Sequence, residues 1–311
     1  MGIAMFTPFI FLGMLLGLLT NSHLASTYVL EGLKTWYQNA IPALFPFMVV
    51  SGLMIRLGLA ESVSKCFMPV LGHLYQAKSA ACYVILIGFL CGFPMGARTI
   101  AELYERNRLT KKEGKWLLAF CNNLSPAYVT GVLFPMLGIR KVLPCLFVFY
   151  GIPMIYGWIL RRIMLSSTGK EDIPRESQIL PQATKARIPS ALGASLRDSV
   201  ESSVTAILML GGYLAFFCLL NLFPHLIFHK PLPVFSLLLE VTTGLNYVQG
   251  KRPILCLCAA TFGGLSCIAQ THAVLRQADL SDAMGEYVIH KMILTAISLA
   301  CYLALFRFTG L

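Results

Sequence analysis

Apolar residues fall in long blocks along this chain, separated by short polar stretches. Residues 3–19, 39–55, 80–97, 116–139, 142–160, 202–223, 253–271 and 292–306 contain no Asp, Glu, Lys or Arg. A helix needs about 17–25 apolar residues to cross the hydrocarbon core of a bilayer. Most of the blocks have that length, and the last reaches it once residues 287–291 are added. The pattern predicts an all-α, polytopic membrane protein. The first block has no Lys or Arg before it and a poor cleavage site after it at Thr20-Asn21-Ser22, so it reads as a retained span.

The polar stretch 166–189 divides the chain and reads as a flexible linker. The segments on either side share an order: an apolar helix (39–55; 202–223), a short helix (62–75; 234–248), a glycine-interrupted run (80–104; 253–276) and a span (113–137; 286–306). At one constant spacing Gly72 falls on Gly244, Gly92 on Gly264, Thr99 on Thr271 and Leu103 on Leu275. The order predicts two inverted repeats, each with a re-entrant or broken helical hairpin. The boundaries are an N-terminal helix and connector over 1–32, a first repeat over 33–138, a linking helix over 139–165, a polar cytoplasmic linker over 166–195 and a second repeat over 196–311.

The interruptions carry the physical argument. Cys91-Gly92-Phe93-Pro94-Met95-Gly96 and Phe262-Gly263-Gly264-Leu265-Ser266 would each weaken a continuous helix. Irregular backbone at membrane depth survives where it is buried in protein or lines a wet cavity. Matched interruptions in two halves point to a transporter's binding site; the alternative is a pair of kinked ordinary spans. If both runs are re-entrant, the first entering from the cytoplasm and the second from the other face, then 56–78, 104–115, 161–197 and Arg307 all fall inside, as the positive-inside rule asks.

Composition agrees with the blocks. The chain has 311 residues, 57% hydrophobic and 13% charged, where soluble domains carry roughly 25% charged residues. The net charge of +11 comes from loops such as Arg106 to Lys115, so it reflects membrane orientation and not nucleic-acid binding. The ten cysteines include no CxxC pair and no Cys/His zinc spacing, so neither metal nor cofactor is expected. A phosphate loop of the GxxxxGK[ST] type and an HExxH motif are both missing from the sequence, which argues against an ATP-driven pump and against an enzyme.

Polar groups inside apolar runs are expensive and mark candidate sites. Arg98 and Glu102 follow the first interruption one helical turn apart, suited either to an internal ion pair or to an anion-binding arginine. Asn122-Asn123-Leu124-Ser125-Pro126 breaks a span and exposes backbone dipoles. Glu240, followed by Thr242 and Thr243, sits in a short apolar stretch and could couple an ion or lie at the interface. Gln270 matches Arg98 in the second half, with His272 beside it; His290 and Lys291 open the last span and read as interfacial. The substrate-binding candidates are Gly92, Phe93, Pro94, Gly96, Arg98, Asn122, Asn123, Ser125, Thr242, Thr243, Gly263, Gly264, Ser266 and Gln270; the coupling or ion candidates are Glu102, Glu240 and His272.

Five segments, FPFMVVSGL (45–53), GFPMGARTIAELYE (92–105), LLAFCNNLSPAYVTG (117–131), LLEVTTGL (238–245) and TFGGLSCIAQ (261–270), resemble the sporulation integral membrane proteins of the YlbJ type. The resemblance covers about residues 33–306 and implies a nucleoside-recognition or Gate domain, with a core similar to concentrative nucleoside transporters. It implies a bacterial cytoplasmic membrane, with the outer forespore membrane as one candidate. It further implies movement of a small anionic solute during sporulation, with a dipicolinate-like dicarboxylate favoured. A nucleoside-type carrier and a non-transporting sporulation protein are the alternatives. The expected partners are a small-molecule substrate and the lipid bilayer, with no nucleic acid; a homo-oligomer is compatible with the sequence.

Overall fold

The computed structural model describes residues 12–164, 188–248 and 251–309. The linker read over 166–189, and Lys170 within it, therefore lies almost wholly outside the described residues, as does the start of the first apolar block. The described chain is helical throughout, with no strand, and six runs are long and apolar enough to cross a membrane. Their outer surface carries Phe147, Leu143, Ile227 and Phe308, all well exposed. Such a coat would be a liability in water and is what lipid tails require.

A helix over 12–20 leads into α1 (Ser22–Arg56), which contains a π-turn at Trp36–Ala40. The amphipathic α2 (Ala60–Tyr75) follows, and α3 (Ser79–Cys91) leaves it at 97°. Both ends of α2 are tied to one end of the molecule. Arg108 pairs with Glu61 near its start. Arg161 donates to the Tyr75 and Gln76 carbonyls at its close, each at 2.9 Å. α2 thus lies across that end as an interfacial helix. We call this the basic end, because Arg56, Arg106, Arg108, Lys111, Lys115 and Arg161 meet there through these contacts and those below.

α3 and α4 (Met95–Glu105) form a hairpin that dips in from the basic end and returns to it. At 1.5 Å per residue, the 13 residues of α3 reach about 20 Å and the 11 of α4 about 17 Å, well short of a ~30 Å core. Ser79 at the start of α3 donates to the Glu61 carbonyl, and Glu102 near the close of α4 pairs with Arg56 and Arg106. The first interruption therefore reverses the chain within the molecule, the geometry of a re-entrant run. Its tip, Gly92 to Met95, contains a cis Phe93–Pro94 bond.

α5 (Lys111–Met136) starts at the basic end with a capping box: the Glu113 N–H donates to Thr110 Oγ1 at 3.1 Å, and the Thr110 N–H to Glu113 Oε2 at 2.9 Å. It unwinds at Asn122–Leu124 and restarts at Pro126, where Ser125 Oγ accepts from the Tyr128 N–H. α6 (Val142–Met164) returns to the basic end, where Arg161 sits. α7 (Ile188–Leu219) packs antiparallel to α1: Ser199 donates to the Val49 carbonyl, and Trp36 to the Ile207 carbonyl.

Beyond α7 the chain is at the far end. The short α8 (Leu222–Phe228) touches the start of α1 through His225 and Tyr28. α9 (Pro233–Leu239) and α10 (Val241–Val248) then fold back on one another, with Glu240 at the turn. A Cβ on Gly244 would stand 2.6 Å from Ser236 C and Leu237 N, so glycine is what lets the two helices touch. Both are tethered to the far end, Ser236 through Asn221 and Tyr247 through Glu31.

The second interruption differs from the expected hairpin. α11 (Pro253–Gln277) is one run that crosses the molecule, broken at Gly263 and Gly264, whose φ values are +94° and +80°. Its first half packs along α12 (Ala283–Thr309), and its close reaches the basic end, where Lys111 and Lys115 bind Asp282. Two glycines in the left-handed region stop one helix and start the next without reversing the chain. α12 starts beside Lys115 through Glu286 and runs 27 residues, about 40 Å, to the far end. Arg307 consequently lies at the far end and not with the basic loops.

Candidate functional site

The tip of the α3–α4 hairpin is seated on the break in α5. Three glycines make that possible. A Cβ on Gly88 or Gly96 would stand 2.2 or 2.5 Å from the Cys121 carbonyl oxygen, and one on Gly92 would stand 2.4 Å from Ser125 N. Gly92 and Gly96 thus serve a backbone-to-backbone contact between elements. The break in α11 is seated in the same way on the α9–α10 turn: a Cβ on Gly264 would meet Val241 N, Leu238 O and Leu239 O at 3.3–3.4 Å. The two assemblies touch where a Cβ on Gly263 would stand 2.5 Å from the Phe93 ring. The four irregular segments therefore meet in the interior.

A cleft of about 640 Å³ is lined by α4, α7 and α11 and by Arg56. Glu105, Arg106, Asp198, Glu201 and Gln277 are exposed and mark its mouth at the basic end. Deeper in, Pro94 at the hairpin tip, Arg98, Ser202 and Gln270 line it. Arg98 Nη2 donates to Ser202 Oγ at 3.1 Å and Ser203 Oγ at 3.4 Å. Its Nη1 is buried and has no hydrogen-bond partner among the described residues. Glu102 turns to Arg56 on α1 and to Arg106 one helical turn on, each at 3.8 Å, and not to Arg98. These contacts are too long to be hydrogen bonds, and Arg56 Nε and Glu102 Oε1 are also buried without a partner. Three charged groups lining one cleft thus each hold an unused polar atom, which a polar solute can satisfy.

Behind the hairpin tip lies a second constellation. Asn122 Nδ2 donates to Thr271 Oγ1 at 2.9 Å and to Tyr287 OH at 3.0 Å, joining α5, α11 and α12. Asn123 Nδ2 donates to the Phe120 carbonyl at 2.6 Å, which turns its Oδ1 toward α12. Lys291 Nζ donates to that Oδ1 at 3.1 Å and to the Thr261 carbonyl at 3.3 Å, and stands 4.8 Å over the Phe93 ring. Lys291 is 0% exposed. The interfacial reading of this lysine is overturned: α12 begins at Ala283, which carries position 291 past the surface and into the core. Phe93 does not line the cleft, because its ring lies beneath the Lys291 ammonium.

The remaining candidates scatter. Glu240 is 2% exposed and caps α10: its Oε2 accepts from Thr242 Oγ1 at 2.6 Å, the Thr243 N–H at 2.7 Å and Thr243 Oγ1 at 2.9 Å. Ser266 is buried and accepts from Gln270 Nε2 at 2.9 Å. His272 is exposed on α11, apart from both constellations. Among the described residues, no group of three or more His, Cys, Asp or Glu could hold a metal ion.

The helical spacing of α12 holds a signal that would have found Lys291. Tyr287, Lys291, Leu294, Ser298 and Tyr302 recur at three- and four-residue intervals and are all buried, whereas Ile289, Met292 and Leu303 face outward. In a membrane helix a polar stripe on one face marks the protein interior.

Compared with known proteins, the chain is similar to the sporulation integral membrane protein YlbJ of Bacillus subtilis (strain 168). They are 23% identical over 292 residues, covering 80% of this chain and 70% of that protein. No family model matches the chain, and no solved structure does. The YlbJ-type resemblance read from the motifs holds. Together with six apolar spans it makes this an integral membrane protein.

Proposed function

We propose that this integral membrane protein of the YlbJ type is a secondary transporter or facilitator. It would move a small polar anion across a bacterial membrane during sporulation. One observation carries the reading: Arg98 lines the deep part of a cleft with a buried guanidinium nitrogen that has no hydrogen-bond partner among the described residues. A guanidinium offers a planar fork suited to a carboxylate. Arg56 Nε supplies a second unused donor on the same cleft. Arg56 and Arg98 outnumber Glu102 on the inner wall, which favours an anion over a neutral solute. A dipicolinate-like aromatic dicarboxylate, implied by the resemblance, belongs to this class. At the mouth the exposed Glu105, Asp198 and Glu201 outnumber Arg106, so the positive charge is confined to the inner wall.

No bond-making chemistry enters this proposal; the residues bind and release. A second reading, a nucleoside-type carrier, draws on Gln270 and Ser202, whose amide and hydroxyl suit a neutral polar solute.

The test is uptake of labelled dipicolinate and labelled nucleosides into proteoliposomes. Dicarboxylate uptake by the wild-type protein is expected. Arg98→Lys keeps the charge but loses the fork, and should slow uptake by roughly tenfold or more at unchanged membrane abundance. Undiminished dicarboxylate uptake by Arg98→Gln would remove Arg98 from the site. Uptake of nucleosides alone would favour the second reading, and uptake of neither would leave a non-transporting protein with this fold.

A further inference from the structure

The most unusual group in the molecule is not in the cleft. Lys291 is wholly buried, about 12 Å along α12 from its start at Ala283, and among the described residues no carboxylate stands within ion-pair distance of it. Its surroundings are nevertheless those of a bound cation. Asn123 Oδ1 and the Thr261 carbonyl are its oxygen partners, and the Phe93 ring is the third. A tetrahedral ammonium has three N–H groups to donate. Here two go to oxygens and one face of the group meets the negative face of an aromatic ring.

The backbone adds to this. The first half of α5 ends at Cys121, and the first half of α11 ends at Phe262. Both half-helices are ten residues or longer; the second brings its Thr261 carbonyl to the Lys291 ammonium, and the first is followed by Asn123, whose Oδ1 accepts from it. Unsatisfied carbonyls and the negative dipole ends of two broken helices favour a positive charge. Broken helices at membrane depth commonly hold a free monovalent cation in this way. In this chain the space is filled by a side chain from a third helix.

We propose that Lys291 is a tethered cation. Its ammonium permanently occupies a monovalent-cation site built from Asn123, Thr261 and Phe93. The protein therefore needs no sodium or potassium ion to hold the two helix breaks and the hairpin tip together. Under the transport reading above, on which this last step rests, solute movement is not driven by a sodium or potassium gradient.

The experiment uses the full-length protein and two variants. Lys291→Ala removes a propylammonium fragment and leaves a hole with the oxygen ligands still in place. Lys291→Met fills the same space with an apolar chain and no charge. Thermal inactivation in detergent is followed at matched ionic strength in choline, sodium, potassium, ammonium and propylammonium chlorides. The wild-type protein should not respond to the choice of cation. Lys291→Ala should lose folded lifetime by roughly tenfold or more in choline, because buried oxygens are left unpaired. Ammonium or propylammonium should restore most of it. Lys291→Met should be as poor as Lys291→Ala in choline and should not be rescued.

Wild-type-like stability of Lys291→Met in choline would make the lysine a space filler and overturn the proposal. So would Lys291→Ala that no cation stabilises, or that fails to accumulate in cells grown with ammonium while Lys291→Met accumulates. A separate arm compares wild-type uptake in sodium, potassium and choline. Equal rates are expected, and stimulation by either ion would overturn the claim about driving force. If no solute is moved at all, the transport reading fails by itself, and the thermal arm still decides whether the cation site exists.

Discussion

Gly96 and Gly131 are both helical glycines in apolar surroundings, yet they have opposite tolerances. A Cβ on Gly96 would stand 2.5 Å from the Cys121 carbonyl oxygen, a backbone atom that cannot move aside. A Cβ on Gly131 would meet nothing within 4 Å. Gly96→Ala should therefore cost about 1–3 kcal/mol through overpacking. Gly131→Ala should be neutral or stabilise by up to about 1 kcal/mol, because alanine is the better helix former. Thermal melts of the two variants would check this; equal effects would mean that the hairpin tip does not bear on the break in α5. The contrast also changes what the tip glycines mean. Gly92, Gly96, Gly263 and Gly264 stand out in the sequence because they interrupt helices. Their small size is used against neighbouring backbone and the Phe93 ring, and a ligand need not be invoked. Arg98 was legible because arginine inside an apolar run has few structural excuses. Lys291 was not, because it lies just before the charge-free run 292–306 and beside His290, where an interfacial lysine is the ordinary case.

The elements separate by length. α3 and α4 are too short to cross, and contacts at both ends hold them to one side; α5, α6, α11 and α12 are long enough to cross. Their number and apolar character could be read directly from the sequence. Whether an interrupted run reverses or continues could not, because Gly-Phe-Pro-Met-Gly and Gly-Gly are both helix breakers and neither states the direction of the chain beyond it. The neighbours decide: α4 finds room between α11 and the α1–α7 pair and turns back, whereas the first half of α11 is held along α12. This assignment predicts accessibility. Single cysteines replacing Lys65, Lys78 and Lys112 should be labelled from one side of the membrane, and those replacing Lys141 and Arg307 from the other. Residue 65 labelled from the side opposite to 112 would rule out the re-entrant hairpin. Residue 307 labelled together with 112 would rule out a crossing α12. A second element-level expectation concerns the start of α5. Thr110→Ala removes the capping hydroxyl that accepts from the Glu113 N–H and should cost about 1 kcal/mol, seen as a lower melting temperature.

At the scale of the whole molecule, Gly92 and Gly264 share a spacing in the sequence but sit in unlike elements. That register sets a hairpin tip against a helix break. In each half a pair of short helices (α3 and α4; α9 and α10) is followed by a broken helix (α5; α11) and a further long one (α6; α12). The halves are also mutually dependent. Without the second half, Asn122 loses Thr271 and Tyr287, Asn123 Oδ1 loses Lys291, and Phe93 loses Gly263. Without the first, Lys291 keeps only the Thr261 carbonyl as a partner. Each half alone would bury polar groups with nothing to satisfy them, and each such group costs about 1–3 kcal/mol or more at membrane depth. If the chain is divided within 165–187, neither fragment should accumulate in the membrane by itself. Co-expression should restore both fragments and their co-purification, because the cut leaves α6 and α7 whole over their described lengths. Stable, protease-resistant accumulation of the first fragment alone would show that its broken helix and hairpin tip are complete without α11 and α12. The interior polar network would then be a consequence of assembly and not its cause.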